Sequence, residues 1–333
     1  MLKTLVRALC LIAPVAVAAE DVTVGNLIRA ETDHMIRENM RAFGIGISEI
    51  VHLRQPTTPE NQPVIRMNQD TLYSGVVLDL SKPVRVTLPE IGGRYMSMMV
   101  ISQDHYITSE ATPGTYELTQ DSVGTRFAFA AFRTFIDVTN ADDIAATHAA
   151  QDAIEITGGG EGPFAAPDWD LDQLARARNA INDISTLGFD ASRAYGSKAE
   201  VNPIDHLIGA IAGWGGLPAK AAIYVIDAVD ENDGITPHSV TVEDVPVDAF
   251  WSITVYNAEG YLEPNDVGRN NYNNFTAQHN ENGSITMNFG ACEDGRINCI
   301  PITPGWNYAV RLYQPRAEIR DGNWTFPSIE PVK

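Results

Sequence analysis

The sequence predicts a mainly β protein, in which two tandem antiparallel β-sandwich or barrel domains are joined by a helical insert and preceded by an N-terminal helix. Three observations lead to this fold class. The chain contains an approximate internal repeat, short runs rich in β-branched residues occupy both ends, and helical periodicity is confined to the start and the middle. A length of 333 residues is enough for two domains of ordinary size.

The internal repeat relates a segment near residue 95 to one near residue 250. Tyr95–Val100 and Phe250–Val255 share an aromatic residue, a Ser and a Val in register, and further along the chain Tyr106 falls opposite Tyr261. Solenoid proteins repeat at much shorter intervals than this. The repeat therefore predicts two related β domains.

Helices are expected in two places. Residues 25–43 carry apolar side chains on one face, and the middle of the chain has three further helical stretches, two of them capped by Asn140 and Asn202. The glycine run at 158–162 is interpreted as a flexible linker. The predicted divisions are a signal peptide (1–19), an N-terminal helix with the first β domain (20–140), a helical insert (141–217) and a second β domain (218–333).

The first residues have the composition of a secretory signal peptide. Lys3 and Arg7 precede a short apolar run, and small residues allow cleavage next to Ala18 or Ala19. The run is too short to cross a bilayer. The sequence therefore predicts an exported protein, periplasmic or secreted, with no membrane span in its mature form.

Cysteine content fits an oxidising compartment. Once the leader is removed, Cys292 and Cys299 are the only cysteines, and they flank a polar segment that resembles a turn. A disulfide is expected, and its small loop would stabilise the fold by about 2–3 kcal/mol.

Charge and the lack of known motifs limit the possible partners. The formal net charge of −20 makes this an acidic protein and argues against nucleic acid and anionic lipid. No cofactor is predicted. A Ca²⁺ site near Asp266, Glu293 or Asp294 has little support, because the alternating ligand spacing of a calcium loop is missing. The oligomeric state stays open.

A polar and aromatic cluster opens the first β domain. Asn68, Asp70 and Tyr73 offer donors, acceptors and an aromatic face that suit a small polar or carbohydrate ligand, although the same residues also fit a capped turn. His105, next to Asp104, is a candidate general base. Because neighbouring residues on a strand face opposite sides, a surface turn is the alternative interpretation.

The C-terminal half has its own polar residues. Tyr261 and Arg269 lie in an Asn-rich loop, which fits either a carbohydrate contact or a hydrogen-bonded crossing between strands. In the last strand, even spacing places Trp306 and Tyr308 on one face and Arg311 and Tyr313 on the other, and we expect the first pair in the core.

Several of these motifs resemble a family of exported bacterial proteins with two paired domains of unknown function. Residues 68–74 and 93–97 are similar to the N-terminal domain, number twelve fifty-four, and residues 250–256 and 304–313 are similar to its companion, number twelve fourteen. The resemblance implies two antiparallel β domains with a helical region. It transfers no reaction and no catalytic residue.

Three functions remain open at this point. The first is an exported binding protein whose ligand lies between the β domains and touches Asn68, Asp70, Tyr73 and Arg94. The second is a hydrolase or lyase that uses Asp70 or His105 as general base, with Tyr73 or Arg94 stabilising an anion. The third is a structural or interaction module.

Overall fold

The computed structural model describes residues 19–62 and 65–332. The predicted signal peptide therefore lies, except for Ala19, outside the described residues. The N-terminal part contains, in chain order, α1 (Leu27–Phe43), β1 (Val51–His52), β2 (Thr71–Asp79), β3 (Val84–Leu88), β4 (Met96–Ser102), β5 (Ile107–Glu110), β6 (Gly114–Leu118), α2 (Gln120–Val123), β7 (Phe127–Phe135), α3 (Ala141–Asp152) and β8 (Glu155–Gly158).

Two helices of the insert separate these elements from the second set of strands. The remaining elements are α4 (Leu171–Ser185), α5 (Pro203–Ala212), β9 (Ala222–Ala228), β10 (His238–Val242), β11 (Trp251–Tyr256), β12 (Asn271–Asn273), β13 (Ile285–Phe289), β14 (Cys299–Ile300), β15 (Asn307–Tyr313), α6 (Ala317–Arg320) and β16 (Glu330–Pro331). Asn140 and Asn202 cap α3 and α5 as expected, since each side chain accepts hydrogen bonds from two backbone N–H groups of the first turn.

Each half of the molecule is built from two mainly antiparallel sheets that enclose a core, and the sheet with the longer strands is called the larger one. In the N-terminal half the sheets have the orders β1-β2-β7-β4-β5 and β6-β3-β8. In the C-terminal half the orders are β12-β11-β15-β9 and β14-β13-β10-β16, where only the β13–β14 pair is parallel among the described strands. The predicted mainly β fold class is confirmed.

The two halves repeat one topology. The order β2-β7-β4-β5 corresponds strand by strand to β9-β15-β11-β12, and β6-β3-β8 corresponds to β13-β10-β16. The register agrees as well: Ser97 lies opposite Arg133, and Ser252 lies opposite Arg311. The repeat in the sequence therefore marks a duplicated domain.

Residues 155–158, which the sequence assigns to the helical insert, belong to the N-terminal sheets. They form β8 against β3. The glycine run that follows is packed and is not a flexible linker: Gly159 N–H donates to Pro83 O at 3.0 Å and Gly160 N–H to Asp79 O at 2.8 Å. A Cβ on Gly160 would lie 2.3 Å from Asp79 Oδ2, so a side chain would not fit.

The larger sheets of the two halves pack against each other through their outer faces. Side chains of β7 point alternately to its two faces. Phe132 points into the N-terminal core, and Phe135 points into the cluster between the halves. Phe250 meets Phe135 with ring centroids 5.0 Å apart and Tyr95 at 5.4 Å. Helices α1 and α5 cover another part of the N-terminal sheet, where Trp214 meets Phe129 at 5.8 Å.

The segment that connects β1 to β2 crosses onto the C-terminal half before it returns. Gln62 makes a pair of hydrogen bonds with the backbone of Leu262, at 2.8 and 2.7 Å. Arg66 N–H donates to Gly260 O at 2.8 Å. The segment therefore ties the two halves together.

The sulfur atoms of Cys292 and Cys299 form the expected disulfide. As expected from their spacing, Trp306 and Tyr308 lie in the C-terminal core, whereas Tyr313 lies between the halves. In the described part of the chain, no helix has the length and apolar character needed to span a bilayer.

We predict that Gly75→Ala destabilises the fold by about 1–3 kcal/mol, because an added methyl group overpacks a filled site. A Cβ at Gly75 would lie 2.9 Å from the end of the Phe129 ring. Urea denaturation measures the effect. The double variant Gly75→Ala/Phe129→Leu should lose less stability than the sum of the two single changes; simple additivity would contradict the steric explanation.

Candidate functional site

A polar row crosses the outer face of each larger sheet. Side chains directly opposite each other on antiparallel strands point to the same face. In both halves the row consists of a Tyr, an Arg and a Ser on three neighbouring strands: Tyr73, Arg133 and Ser97 in one, and Tyr224, Arg311 and Ser252 in the other. Because these faces pack together, the two rows lie between the domains.

Asp70 links the two halves at this interface. Its side chain is fully buried, and its Oδ1 accepts hydrogen bonds from Asn271 Nδ2 at 2.8 Å and Asn273 Nδ2 at 3.1 Å. Burial raises the pKa of the Asp70 carboxyl, while Ser252, Arg311 and the two asparagines oppose that shift only in part. Oδ1 of Asp70 thus connects the two halves, while its buried Oδ2 has no hydrogen-bond partner among the described residues.

Asn68 joins the same network from the N-terminal side. Its Nδ2 donates to Thr71 Oγ1 and to the Tyr313 hydroxyl, both at 3.0 Å, and its Oδ1 accepts from the Asp70 backbone at 2.9 Å. The predicted capped turn is therefore present. The same Asn68 side chain also binds the hydroxyl group of Tyr313, a residue of the other half.

Arg311 is held by short hydrogen bonds to protein groups. Its Nη1 donates to Thr254 Oγ1 at 2.9 Å, and its Nη2 donates to the Tyr256 hydroxyl at 2.7 Å and to Arg66 O at 2.9 Å. These contacts hold the crossing segment on the C-terminal sheet. Both N–H groups of Nη2 are therefore engaged, whereas Nε and one N–H of Nη1 make no hydrogen bond to a described residue.

Arg133, the equivalent residue of the other half, is different. It is 9% exposed, and no Asp or Glu oxygen of the described residues lies within 4.0 Å of its side-chain nitrogens. Among the same residues it makes two long hydrogen bonds, from Nη1 to Met99 Sδ at 3.9 Å and from Nη2 to Gly215 O at 3.5 Å. A guanidinium carries five N–H donors, so most of the donor capacity of Arg133 is unused.

Four tyrosines lie close enough to Arg133 to influence its ionisation. They are Tyr73, Tyr95, Tyr224 and Tyr313. Burial lowers the pKa of Arg133, but the tyrosine hydroxyls more than offset this effect and keep the guanidinium charged. The guanidinium also lies over the Tyr73 ring, 5.5 Å from its centroid.

Tyr73 differs from the other three tyrosines in its ionisation. Burial raises the pKa of Tyr95 to about 12 and also raises that of Tyr313, whereas Tyr224 is 40% exposed. At Tyr73 burial acts in the same direction, but Arg133, followed by Asn68 and Thr71, outweighs it and lowers the pKa. Tyr73 is therefore the tyrosine of this group that releases its proton most easily.

The structure places His105 elsewhere and does not pair it with Asp104. His105 is fully buried against the helical insert, where its Nε2 accepts a hydrogen bond from Gly215 N–H at 3.0 Å. Burial lowers its pKa to about 3. The carboxylate of Asp104 instead forms an ion pair with Arg29 at 2.6 Å. A turn is present, because His105 N–H donates to Ser102 O at 2.8 Å, but His105 is buried in it instead of lying at the surface, and the suggested Asp–His dyad is not formed.

Arg94 is not brought together with Asp70 and Tyr73. Its guanidinium donates to Phe135 O at 2.8 Å and to the carboxylate of Asp143 in α3 at 3.0 Å. Arg94 therefore connects α3 to the N-terminal sheet.

The two candidates in the C-terminal loop are also outside the cluster. The Arg269 guanidinium lies 4.8 Å from the centroid of the Tyr272 ring, which packs against the C-terminal core. Asn271 and Asn273, on the opposite face of that strand, point to Asp70. Tyr261 is 37% exposed in the loop that meets the crossing segment.

Sequence reasoning missed Arg133, Tyr95 and Tyr224. The signal that identifies Arg133 is the repeat itself: once the two halves are aligned, Arg133 falls on Arg311. No group of three or more His, Cys, Asp or Glu side chains within residues 19–62 and 65–332 is arranged to hold a metal ion. Asp294, one of the residues considered for Ca²⁺, forms an ion pair with Arg296.

Comparison with known proteins agrees with this two-domain architecture. Residues 47–158 match the family model described as protein of unknown function (DUF1254), and residues 221–317 match the one described as protein of unknown function (DUF1214). The chain carries both domains. The resemblance expected from the sequence motifs is confirmed, and β8 ends where the DUF1254 match ends.

A solved structure shows the same fold. The VPA0106 protein from Vibrio parahaemolyticus is similar with a TM-score of 0.70 and 18% sequence identity, over 92% of this chain and 97% of that protein. A putative uncharacterized protein from Burkholderia cenocepacia matches with a TM-score of 0.48 and 15% identity, over 92% and 86% of the two chains. No curated protein matches the chain.

We predict that Asp70→Asn removes a pH-dependent cost to stability. A carboxyl whose pKa is raised on folding binds its proton more tightly in the folded than in the unfolded state. Its contribution is therefore fully present below the unfolded pKa, near 3.9, and is lost as the pH rises towards the folded pKa. The free energy of unfolding of the variant, relative to the original chain, should thus increase with pH.

Urea denaturation of the two proteins between acidic and neutral pH measures this difference. Other titrating groups cancel in the comparison, because both proteins contain them. A difference that stays constant with pH, or that shrinks as the pH rises, would contradict the raised pKa of Asp70.

Proposed function

We propose that this DUF1254–DUF1214 protein binds a small ligand between its two β domains and holds a polar, anionic group of that ligand at Arg133. One observation carries the proposal: Arg133 is nearly buried, charged and without a carboxylate partner among the described residues. A charge in such a place costs free energy unless an opposite charge and hydrogen bonds accompany it. A ligand carboxylate would supply both.

The surroundings of Arg133 suit a carboxylate. Tyr73 and Tyr95 present hydroxyl groups beside the guanidinium, and a carboxylate accepts several hydrogen bonds in addition to a two-point contact with Arg. The nearest acidic residue in the network, Asp70, already accepts hydrogen bonds from Asn271 and Asn273. Asn68 and Asp70 therefore hold the two domains in position around the site, while Arg133 and Tyr73 would contact the ligand.

Divergence between the repeats supports the same assignment. Arg311 makes short hydrogen bonds to Thr254, Tyr256 and the carbonyl of Arg66, whereas its counterpart Arg133 makes only two long ones among the described residues. A purely structural role would satisfy both arginines in the same way. The third possibility, a structural or interaction module, therefore has less support.

We also propose that the protein works outside the cytoplasm, in the periplasm or as a secreted protein. The apolar leader in the sequence and the disulfide between Cys292 and Cys299 support this location, since disulfides persist in oxidising compartments.

We predict that Arg133→Gln weakens carboxylate binding by a factor of 10 to 100, as expected for the loss of a charged hydrogen bond of about 1.5–3 kcal/mol. Thermal shift and calorimetry would use acetate, benzoate, glucuronate and octanoate, each paired with a neutral analogue of the same shape. Arg85→Gln is the matched control, because Arg85 forms an exposed ion pair with Glu117 on the surface.

The expected result is that at least one carboxylate binds more tightly than its neutral analogue and that only Arg133→Gln removes the difference. If neutral analogues bind as well as the acids, or if Arg133→Gln retains full affinity, the proposed site is wrong.

A hydrolase or lyase is the second candidate function, and the lowered pKa of Tyr73 favours it. A tyrosine that ionises more easily, next to a fixed cation, can act as a general base or acid. Tyr73 would take this role, with Asp70 as the alternative, because Asn271 and Asn273 both bind Oδ1 of Asp70 and its buried Oδ2 has no partner among the described residues. His105 lies against the helical insert.

We predict for this candidate that Tyr73→Phe lowers kcat by 10²- to 10⁴-fold, the range expected for a general acid or base. The assay is hydrolysis of p-nitrophenyl esters of the acids that bind. Tyr95→Phe, which removes a hydroxyl with a raised pKa, should have a much smaller effect. Equal losses in the two variants would argue against acid–base catalysis by Tyr73.

A further inference from the structure

A cavity with a mostly apolar lining opens beside the buried arginine. It has a volume of about 580 Å³ and lies between the outer face of β9 and the segments around residues 189–195 and 216–219. Its apolar walls include Phe189, Leu217, Ala222 and Ile226. The volume is within the range of small-molecule binding pockets.

The cavity adjoins the Arg133 cluster at two points. Tyr224 lines the cavity and is one of the four tyrosines that influence Arg133. Gly216 also lines the cavity, and its neighbour Gly215 accepts the hydrogen bond from Arg133 Nη2 at 3.5 Å. The apolar space is therefore linked to Arg133 through Tyr224 and the Gly215–Gly216 backbone, while Arg133 itself is not among the residues that line it.

Apolar side chains in the cavity wall are unusually accessible. Tyr224 is 40% exposed and Ile226 is 54% exposed on the same face of β9. The opposite face of that strand is packed, because Ile223 and Val225 contact the C-terminal core. The accessible face of β9 thus forms an apolar surface on the same side of the strand as the row that contains Tyr224.

We infer that the ligand is an amphipathic carboxylate, an aliphatic or aromatic acid whose carboxylate reaches Arg133 and whose apolar tail lies in the cavity beside β9. This inference rests on the proposed function and specifies the class of ligand. A sugar acid would place some of its hydroxyl groups against Phe189, Leu217 and Ile226, whose side chains form no hydrogen bonds. The polar side chains of the lining are those of Asp190, Ser192, Tyr195 and Tyr224. An alkyl chain or an aromatic ring gains free energy in the same place.

Chain length tests the inference. Calorimetry would measure the binding of acetate, butanoate, hexanoate and octanoate, with octan-1-ol as a neutral molecule that has the same tail. Each added methylene should increase affinity about fourfold until the cavity is filled, because burying one methylene in an apolar site has a roughly constant effect.

Three variants test the tail and carboxylate positions separately. Ile226→Asp introduces a charge into the cavity, and Arg133→Gln removes the cation that binds the carboxylate. Ile235→Asp is the control, because it introduces the same charge at an exposed isoleucine outside the cavity lining. We expect Ile226→Asp to weaken octanoate binding at least tenfold and to leave acetate binding nearly unchanged. Ile235→Asp should match the original protein for both acids.

Failure of the inference differs from failure of the proposed function. Equal affinity for acetate and octanoate, or octanoate binding that survives Ile226→Asp, overturns the apolar tail while anion binding at Arg133 stands. Octan-1-ol that binds as tightly as octanoate, with no effect of Arg133→Gln, overturns the anion site. The absence of binding by every acid in the series overturns both.

Discussion

The hydrogen bonds that Asp70 accepts across the domain interface are the constraint on which the rest of the structure depends. Asn271 and Asn273 reach this carboxylate from the other half, and Arg311 binds the crossing segment nearby. Buried polar groups are costly when they lack partners. Since these partners meet only when the two larger sheets are docked, the duplicated domains behave as one unit, with the polar rows enclosed between them.

Duplication followed by divergence explains why the interface holds both a structural and a candidate functional arginine. Arg133 and Arg311 occupy equivalent positions, each between a Tyr and a Ser on neighbouring strands. The difference lies in the neighbours from outside the repeat. Arg311 meets the crossing segment, whereas Arg133 meets Gly215 of the helical insert at 3.5 Å. The crossing segment thus gives Arg311 a carbonyl acceptor at 2.9 Å, whereas the insert gives Arg133 one only at 3.5 Å.

Much of the architecture follows from local signals, but the site does not. The repeat and the runs of β-branched residues predict two β domains, and Asn140 and Asn202 mark helix starts because a side-chain cap acts locally. The environment of Arg133 depends on contacts far apart in the chain, which a local pattern does not contain. Arg94 illustrates the limit: it stands in a recognisable motif, yet its nearest carboxylate comes from a later helix.

The route of the chain between β1 and β2 sets an order of assembly. Gln62 and Arg66 rest on residues 260–262, and only afterwards does the chain become a central strand of the first sheet. A polypeptide that emerges with its N-terminus first makes the crossing segment long before residues 260–262 exist. The strands that flank β2 both belong to the first half, so only the docking of the crossing segment waits for the last third of the protein.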